Sequence, residues 1–140
     1  MSNAMKKIDW QQRLLDEFKA ASERPFVWGQ SDCCLFAADC VMAQSDIDPA
    51  ASYRGSYDSA LGARKALLRQ HGDIEAAFAA ALQEVSPTMV QRGYVVTFDG
   101  PQGVTAGIYW AGSIWAMSES GLVQLNSPIR RAWRAVCRQS

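Results

Sequence analysis

The most reactive groups of this chain lie close together in its sequence. Cys33 and Cys34 follow Ser31-Asp32, and from Cys33 to Met42 every residue except Asp39 is apolar. That pattern predicts a buried helix from Cys33 to about Ala43, with Ser31 or Asp32 supplying the N-cap oxygen. A cysteine in the first turn of a helix faces unpaired amide N–H groups and the positive end of the helix dipole, both of which favour the thiolate. Cys33 is therefore a candidate nucleophile. Cys34, Cys40 and Cys137 sit in equally apolar runs and read as small buried hydrophobes.

A thiol nucleophile needs a base, and His71 is the only histidine. It precedes Gly72 at a predicted helix end, where an imidazole suits the last carbonyls as a cap, so a catalytic part for it requires that end to meet Cys33. Metal chemistry has less support: Cys33 and Cys40 would stand about 10 Å apart along one helix, too far to share an ion. No metal site and no cofactor is expected. Adjacent cysteines bridge only under strain, so no disulfide framework is read and the compartment is taken as cytoplasmic.

The elements that must hold these groups follow from periodicity. Trp10, Leu14 and Phe18 mark an amphipathic helix over about residues 8 to 22, ended before Arg24-Pro25. After a turn-rich stretch, Leu61, Leu67 and Leu68 predict a helix stopped by Gly72, and Asp73 caps another carrying Ile74, Ala77, Phe78, Ala81 and Leu82. The period then changes to that of strands: Tyr94 to Phe98, Val104 to Trp110, Ser113 to Met117 and Leu122 to Leu125, divided by Asp99-Gly100, Ala111-Gly112 and Ser120-Gly121. A last run, Ala132 to Cys137, is expected to close the sheet. Helices first and consecutive strands after make an α+β domain with about five antiparallel strands. Trp110, Trp115 and Trp133 fall on these strands and read as a sheet face packed on helices; were Trp28 and Trp115 instead to line a groove beside Cys33, the domain would bind a peptide or glycan there.

Bulk properties bound the function. The chain has 140 residues, 49% apolar and 20% charged, which fits one compact domain. Fourteen basic residues balance fourteen acidic ones, so nothing in the net charge points to nucleic acid or anionic lipid. The longest apolar run, Ala76 to Leu82, is far short of the roughly 18 residues of a membrane span. Met5-Lys6-Lys7 leads into an amphipathic segment rather than a secretory h-region, and Met1-Ser2-Asn3-Ala4 reads as a cloning scar, leaving a single domain over 5–140. Arg130, Arg131, Arg134 and Arg138 read as a solvated edge able to meet an acidic partner.

Sequence context sharpens the view of Cys33. The run Arg24-Pro25-Phe26-Val27-Trp28-Gly29-Gln30-Ser31-Asp32-Cys33 resembles the nucleophile motif of the NlpC/P60 superfamily, approximately Pro-Tyr-x-Trp-Gly-x-x-Asp-Cys before a central helix. Gly93-Tyr94-Val95-Val96-Thr97-Phe98 is similar to its first strand, Gly-Asp-x-Val-x-Phe, with Tyr94 in place of the acid. The resemblance covers about residues 24 to 118. It implies a papain-like α+β fold and, from the cysteine peptidases and amidases of that superfamily that cut peptidoglycan stem peptides, the nucleophile position for Cys33 with Trp28 and Asp32 beside it. Tyr53-Arg54-Gly55-Ser56-Tyr57 resembles a segment of small phage- and prophage-encoded relatives; by its residues alone it is a loop whose tyrosines cover a helix pair, with ligand binding by Tyr53 the alternative.

The resemblance stops at the base. Where the superfamily commonly reads His-x-Gly-Ile-Tyr, this chain has Thr105-Ala106-Gly107-Ile108-Tyr109, so Thr105 stands at the histidine position. The following strand, Ile114-Trp115-Ala116-Met117, has no His, Asn or Gln to orient an imidazole. A threonine cannot accept the thiol proton at neutral pH. The expectation is a phage-type NlpC/P60-like protein, catalytically impaired, acting in tail assembly or as a binding domain, with phage tail proteins or a peptide or glycan as partners and a cytoplasmic or virion-associated location. The alternative is a working cysteine amidase, peptidase or acyltransferase acting on stem peptides, its base supplied by His71, a partner chain or the substrate.

Overall fold

A computed structural model describes residues 6–138; the segment read as a cloning scar, Met1 to Ala4, lies outside them. Four helices come first: α1 (Trp10–Ser22), α2 (Cys33–Ser45), α3 (Ala60–Gln70) and α4 (Ile74–Ala81). The strands follow: β1 (Leu82–Val85), β2 (Val95–Gly100), β3 (Gly103–Trp110), β4 (Ser113–Ser118), β5 (Gly121–Leu125) and β6 (Arg131–Cys137). They form one sheet in the order β1-β6-β2-β3-β4-β5, every neighbour antiparallel. The domain is thus α+β, as the sequence pattern implies.

Three expectations are corrected. The sheet has six strands rather than about five, because Leu82 leaves the α4 helix and pairs with Cys137, starting a short strand along β6. For the same reason β6 does not close the sheet: it runs between β1 and β2, and Trp133 at its centre is fully buried against Phe78. The arginine cluster is also less free than a solvated edge. Arg130 reaches Glu75 and Asp99, and Arg131 reaches Glu84.

Helix α2 occupies the middle, and its apolar residues are spent on two sides. Phe36, Ala37, Cys40 and Val41 join Leu14 and Phe18 of α1 and Val95, Ala106 and Ile108 of the sheet in the main core. Leu35 and Ala38 pack instead with Ala50, Tyr53, Ala66 and Ala77 on the side of α3 and α4. This double burial explains a helix apolar nearly all round. Its one charge, Asp39, is held between Arg24 at 3.3 Å and Arg54 at 2.8 Å, so the carboxylate does not stand unpaired at the edge of the core. The far face of the sheet carries a separate cluster of Val96, Phe98, Ile114, Ala116 and Ala132. No helix among the described residues is long and apolar enough to cross a membrane.

Candidate functional site

The loop before α2 is fixed by two polar side chains. Ser31 donates to Pro25 O at 2.6 Å and accepts from Val27 N at 3.1 Å. Asp32, only 1% exposed, is the N-cap: its Oδ1 accepts from Leu35 N at 3.0 Å. Its Oδ2 accepts from Gly29 N at 2.9 Å and from the Tyr57 hydroxyl at 2.6 Å. Burial and the Asp32 charge push the Tyr57 phenol far above its ordinary value, so it remains a donor. Gly29 has φ +82°, and a Cβ on it would lie 2.0 Å from Tyr57 O. Only glycine lets the chain pass there. The result is a rigid approach that sets Trp28 edge-on against Phe26, ring centroids 4.8 Å apart, and starts the helix at Cys33.

The sheet supplies the opposite wall through an interruption in its ladder. Tyr109 N donates to Tyr94 O, and alternation along the β2–β3 pair then turns the N–H of Ala106 away from β2, toward β4. There β4 gives it no partner, because β3 and β4 are registered only from Ile108–Trp115 to Trp110–Ser113. Gly107 permits this: a Cβ on it would stand 2.6 Å from Ile114 Cγ2 and 2.8 Å from Trp115 O, so β4 crosses directly over the glycine and then diverges. The freed Ala106 N–H is one of the backbone groups that favour the Cys33 thiolate.

Cys33 is half-buried, and its thiol is held below the usual cysteine range. The neighbouring Cys34 thiol is the largest cause, burial and the Asp32 carboxylate oppose it, and the N–H groups of Ala106 and Cys34 add to it. Cys34 behaves oppositely, pushed well up by the hydrogen bond to Cys33 and by burial. It borders a separate space of about 20 Å³ between α2, α3 and α4, large enough for one water. Cys40 is fully buried, and burial likewise raises it far above the ordinary value.

In front of Cys33 lies a cavity of about 340 Å³, within the span of small-molecule sites of roughly 300–1,000 Å³. Phe26, Trp28, Phe98, Ala116, Met117, Val123 and Leu125 give it an apolar body. Thr105 lies on its wall, and Gln102, Ser118 and Glu119 bring polar atoms to it, Gln102 and Glu119 from exposed positions. Thr105 pairs with Phe98 and so shares that residue's face of the sheet, the one turned away from α2; it reaches the cavity where β3 and β4 part. Its hydroxyl donates to Gly103 O at 3.1 Å. Cys33, Thr105 and Trp28 are thus brought together around one space, with Asp32 behind them as an anchor.

Three residues singled out from sequence are elsewhere. His71 ends α3 and is exposed; its Nδ1 meets the Tyr53 hydroxyl at 2.5 Å, and it is not part of the cavity lining. The base position beside Cys33 is therefore not filled by His71. Tyr53 is 4% exposed and packs over α2 and α3 as a cover for that helix pair, away from the Cys33 cavity. Trp115 faces the main core, stacked on Phe18 at 5.2 Å, and is not part of the cavity lining, whereas Met117, on the same face of β4, is. Sequence reasoning missed Tyr57, whose value lies in a contact with Asp32 twenty-five positions away, and the rim groups Gln102, Ser118 and Glu119. Among the described residues no group of three or more His, Cys, Asp or Glu side chains is placed to hold a metal ion.

In comparisons with known proteins, a family model described as "Domain of unknown function (DUF6950)" matches residues 5–135. No curated protein matches the chain.

Proposed function

The chain belongs to the DUF6950 family, whose description leaves the function open, and we propose from the site that it is a papain-like, NlpC/P60-type domain which binds a ligand beside Cys33 but does not hydrolyse amides. The observation that carries this reading is the cavity itself: the thiol opens on about 340 Å³ of apolar space whose lining contains no imidazole and no amine. Thr105, at the position where the superfamily places its base, has a hydroxyl occupied with Gly103 O. Glu119, the one carboxylate of the lining, is an exposed rim group. An amide can be cut by a thiol only if the departing amine receives a proton, and nothing on this wall is suited to give one at neutral pH.

The ligand is a peptide or glycan end that fits the groove between Trp28 and the β4–β5 hairpin. The phage-type setting, tail assembly in the cytoplasm or a place on the virion, rests on the resemblance of residues 53–57 alone. A second reading, the active amidase or acyltransferase, draws on the lowered Cys33 thiol, and one experiment separates the two. Purified protein offered stem-peptide substrates is expected to show no cleavage above a Cys33→Ala control. Thr105→His, on a background lacking Cys34, Cys40 and Cys137, should lower the apparent pKa of Cys33 as read by iodoacetamide rate against pH, without restoring turnover. Turnover by the unaltered protein that Cys33→Ala abolishes would overturn the binding reading. An unchanged thiol profile in a folded Thr105→His variant would withdraw the assignment of Thr105 to the base position.

A further inference from the structure

We propose that the Cys33 cavity accepts the acyl group of an apolar acyl thioester and holds it covalently on the sulfur. The inference rests on the reading of this cavity as the working site, and it takes the apolar lining to fit an acyl chain better than the peptide or glycan end. Three observations converge. The wall around the thiol is built of aromatic and aliphatic side chains, while polar groups are confined to Thr105, Gln102, Ser118 and Glu119. That arrangement suits a chain with an apolar body and a polar head left outside. Cys33 lies on the cavity wall, whose strand side is the place where β3 and β4 part. And the lining lacks the proton donor that amide cleavage demands.

A thioester removes that demand. The Cys33 thiolate sulfur attacks the carbonyl carbon, forming a new C–S bond; the original C–S bond breaks with its electron pair on the departing sulfur. That thiolate leaves without prior protonation and takes a proton from solvent, so the net transfer is one acyl group to Cys33 and one proton from the Cys33 thiol to the released thiol. The second half of a hydrolase cycle requires a base to activate water, and the lining has none suited to it, so the acyl group stays.

The full chain would be incubated with acetyl and octanoyl thioesters of N-acetylcysteamine and followed by intact mass, with peptide mapping to locate the adduct. The expected result is a single stable octanoyl adduct on Cys33, absent in Cys33→Ala, forming at least about tenfold faster than the acetyl adduct because the longer chain buries methylenes in the cavity. Ala116→Leu, which fills the space, should slow octanoylation more than acetylation, narrowing the ratio between the two rates. If that variant does not fold, the chain-length comparison on the unaltered protein decides alone. Labelling of Cys33 by iodoacetamide with no acylation, or equal rates for the two chains, overturns the acyl inference and leaves the binding reading standing. Inaccessibility of Cys33 to both reagents in the folded protein overturns both, and release of free octanoate at a steady rate would show that a hydrolytic base exists.

Discussion

The bond between Tyr57 and Asp32 offers a quantitative test of how the site is held. Asp32 is buried and accepts three hydrogen bonds, from Leu35 N, Gly29 N and the Tyr57 hydroxyl. Tyr57→Phe removes the hydroxyl while keeping the ring, and the loss of one charge-assisted bond at a buried acceptor should cost about 1.5–3 kcal/mol. Asp32→Asn keeps the cap to Leu35 through its carbonyl oxygen but turns an amide NH₂ toward Gly29 N–H. A donor facing a donor in a buried place should cost about 3 kcal/mol. With Asn at this position Tyr57 has lost its anionic partner, so adding Tyr57→Phe should cost about 0.5 kcal/mol or less. The cycle therefore predicts a coupling energy of at least about 1 kcal/mol, measurable from urea midpoints followed by tryptophan fluorescence. A coupling within about 0.3 kcal/mol of zero would refute the idea that these side chains clamp the approach to Cys33 as a unit. A loosened approach should also lower the selectivity of iodoacetamide for Cys33 in Tyr57→Phe, since Gly29 and Trp28 are positioned by the same carboxylate.

Two further outcomes follow from named contacts. Gly107→Ala places a Cβ 2.6 Å from Ile114 Cγ2 and 2.8 Å from a backbone oxygen that cannot move alone, so it should destabilise the domain by about 1–3 kcal/mol in urea unfolding; a neutral variant would mean that β4 does not cross over this residue. Burial alone would raise the Glu75 carboxyl, but the Arg130 guanidinium and the Thr97 hydroxyl outweigh it and hold the group below the usual carboxylate range. A depressed native pKa contributes stability that is present above the unfolded value of about 4.3 and is lost as pH falls through the native one. Unfolding free energy measured between about pH 6 and pH 3 should therefore fall more steeply for the unaltered protein than for Glu75→Gln, and parallel curves would refute the assignment.

What the sequence disclosed, and what it did not, divides along contact range. Asp32 before an apolar run specified the start of α2, Asp73 specified α4, and the dipeptides with Gly112 and Gly121 marked turns between strands, because caps and turns are decided by neighbours in the chain; Asp99-Gly100 instead ends β2, and the turn follows at Pro101-Gln102. The short strand at Leu82 was hidden behind an apolar helical run; its existence depends on Cys137, far along the chain. The central place of β6 was hidden for the same reason. Around Cys33, the loop and helix were legible as a local motif, as was Thr105 in its strand. Tyr57 looked like any loop tyrosine until the fold brought it to Asp32, and Glu119 carried no local signal at all. For Trp115 and Tyr53 residue type left core packing and binding side by side, and the long-range contacts that pack both residues decide for the core.

The parting of β3 from β4 has a mechanical consequence. From Ile108–Trp115 outward to Trp110–Ser113 the two strands are laced together, whereas β4 remains bonded to β5 along its whole length, from Ile114–Leu125 to Ser118–Gly121. The β4–β5 hairpin is thus a two-stranded flap attached to the sheet at one end, and its free end, Ser118 to Ser120, stands at the cavity. Moving that end outward breaks no ladder bond to β3; the cost is side-chain repacking around Met117 and Leu122. On the proposed binding reading, ligands of different girth are sorted by the stiffness of this flap, and residues in its tip set which of them fit.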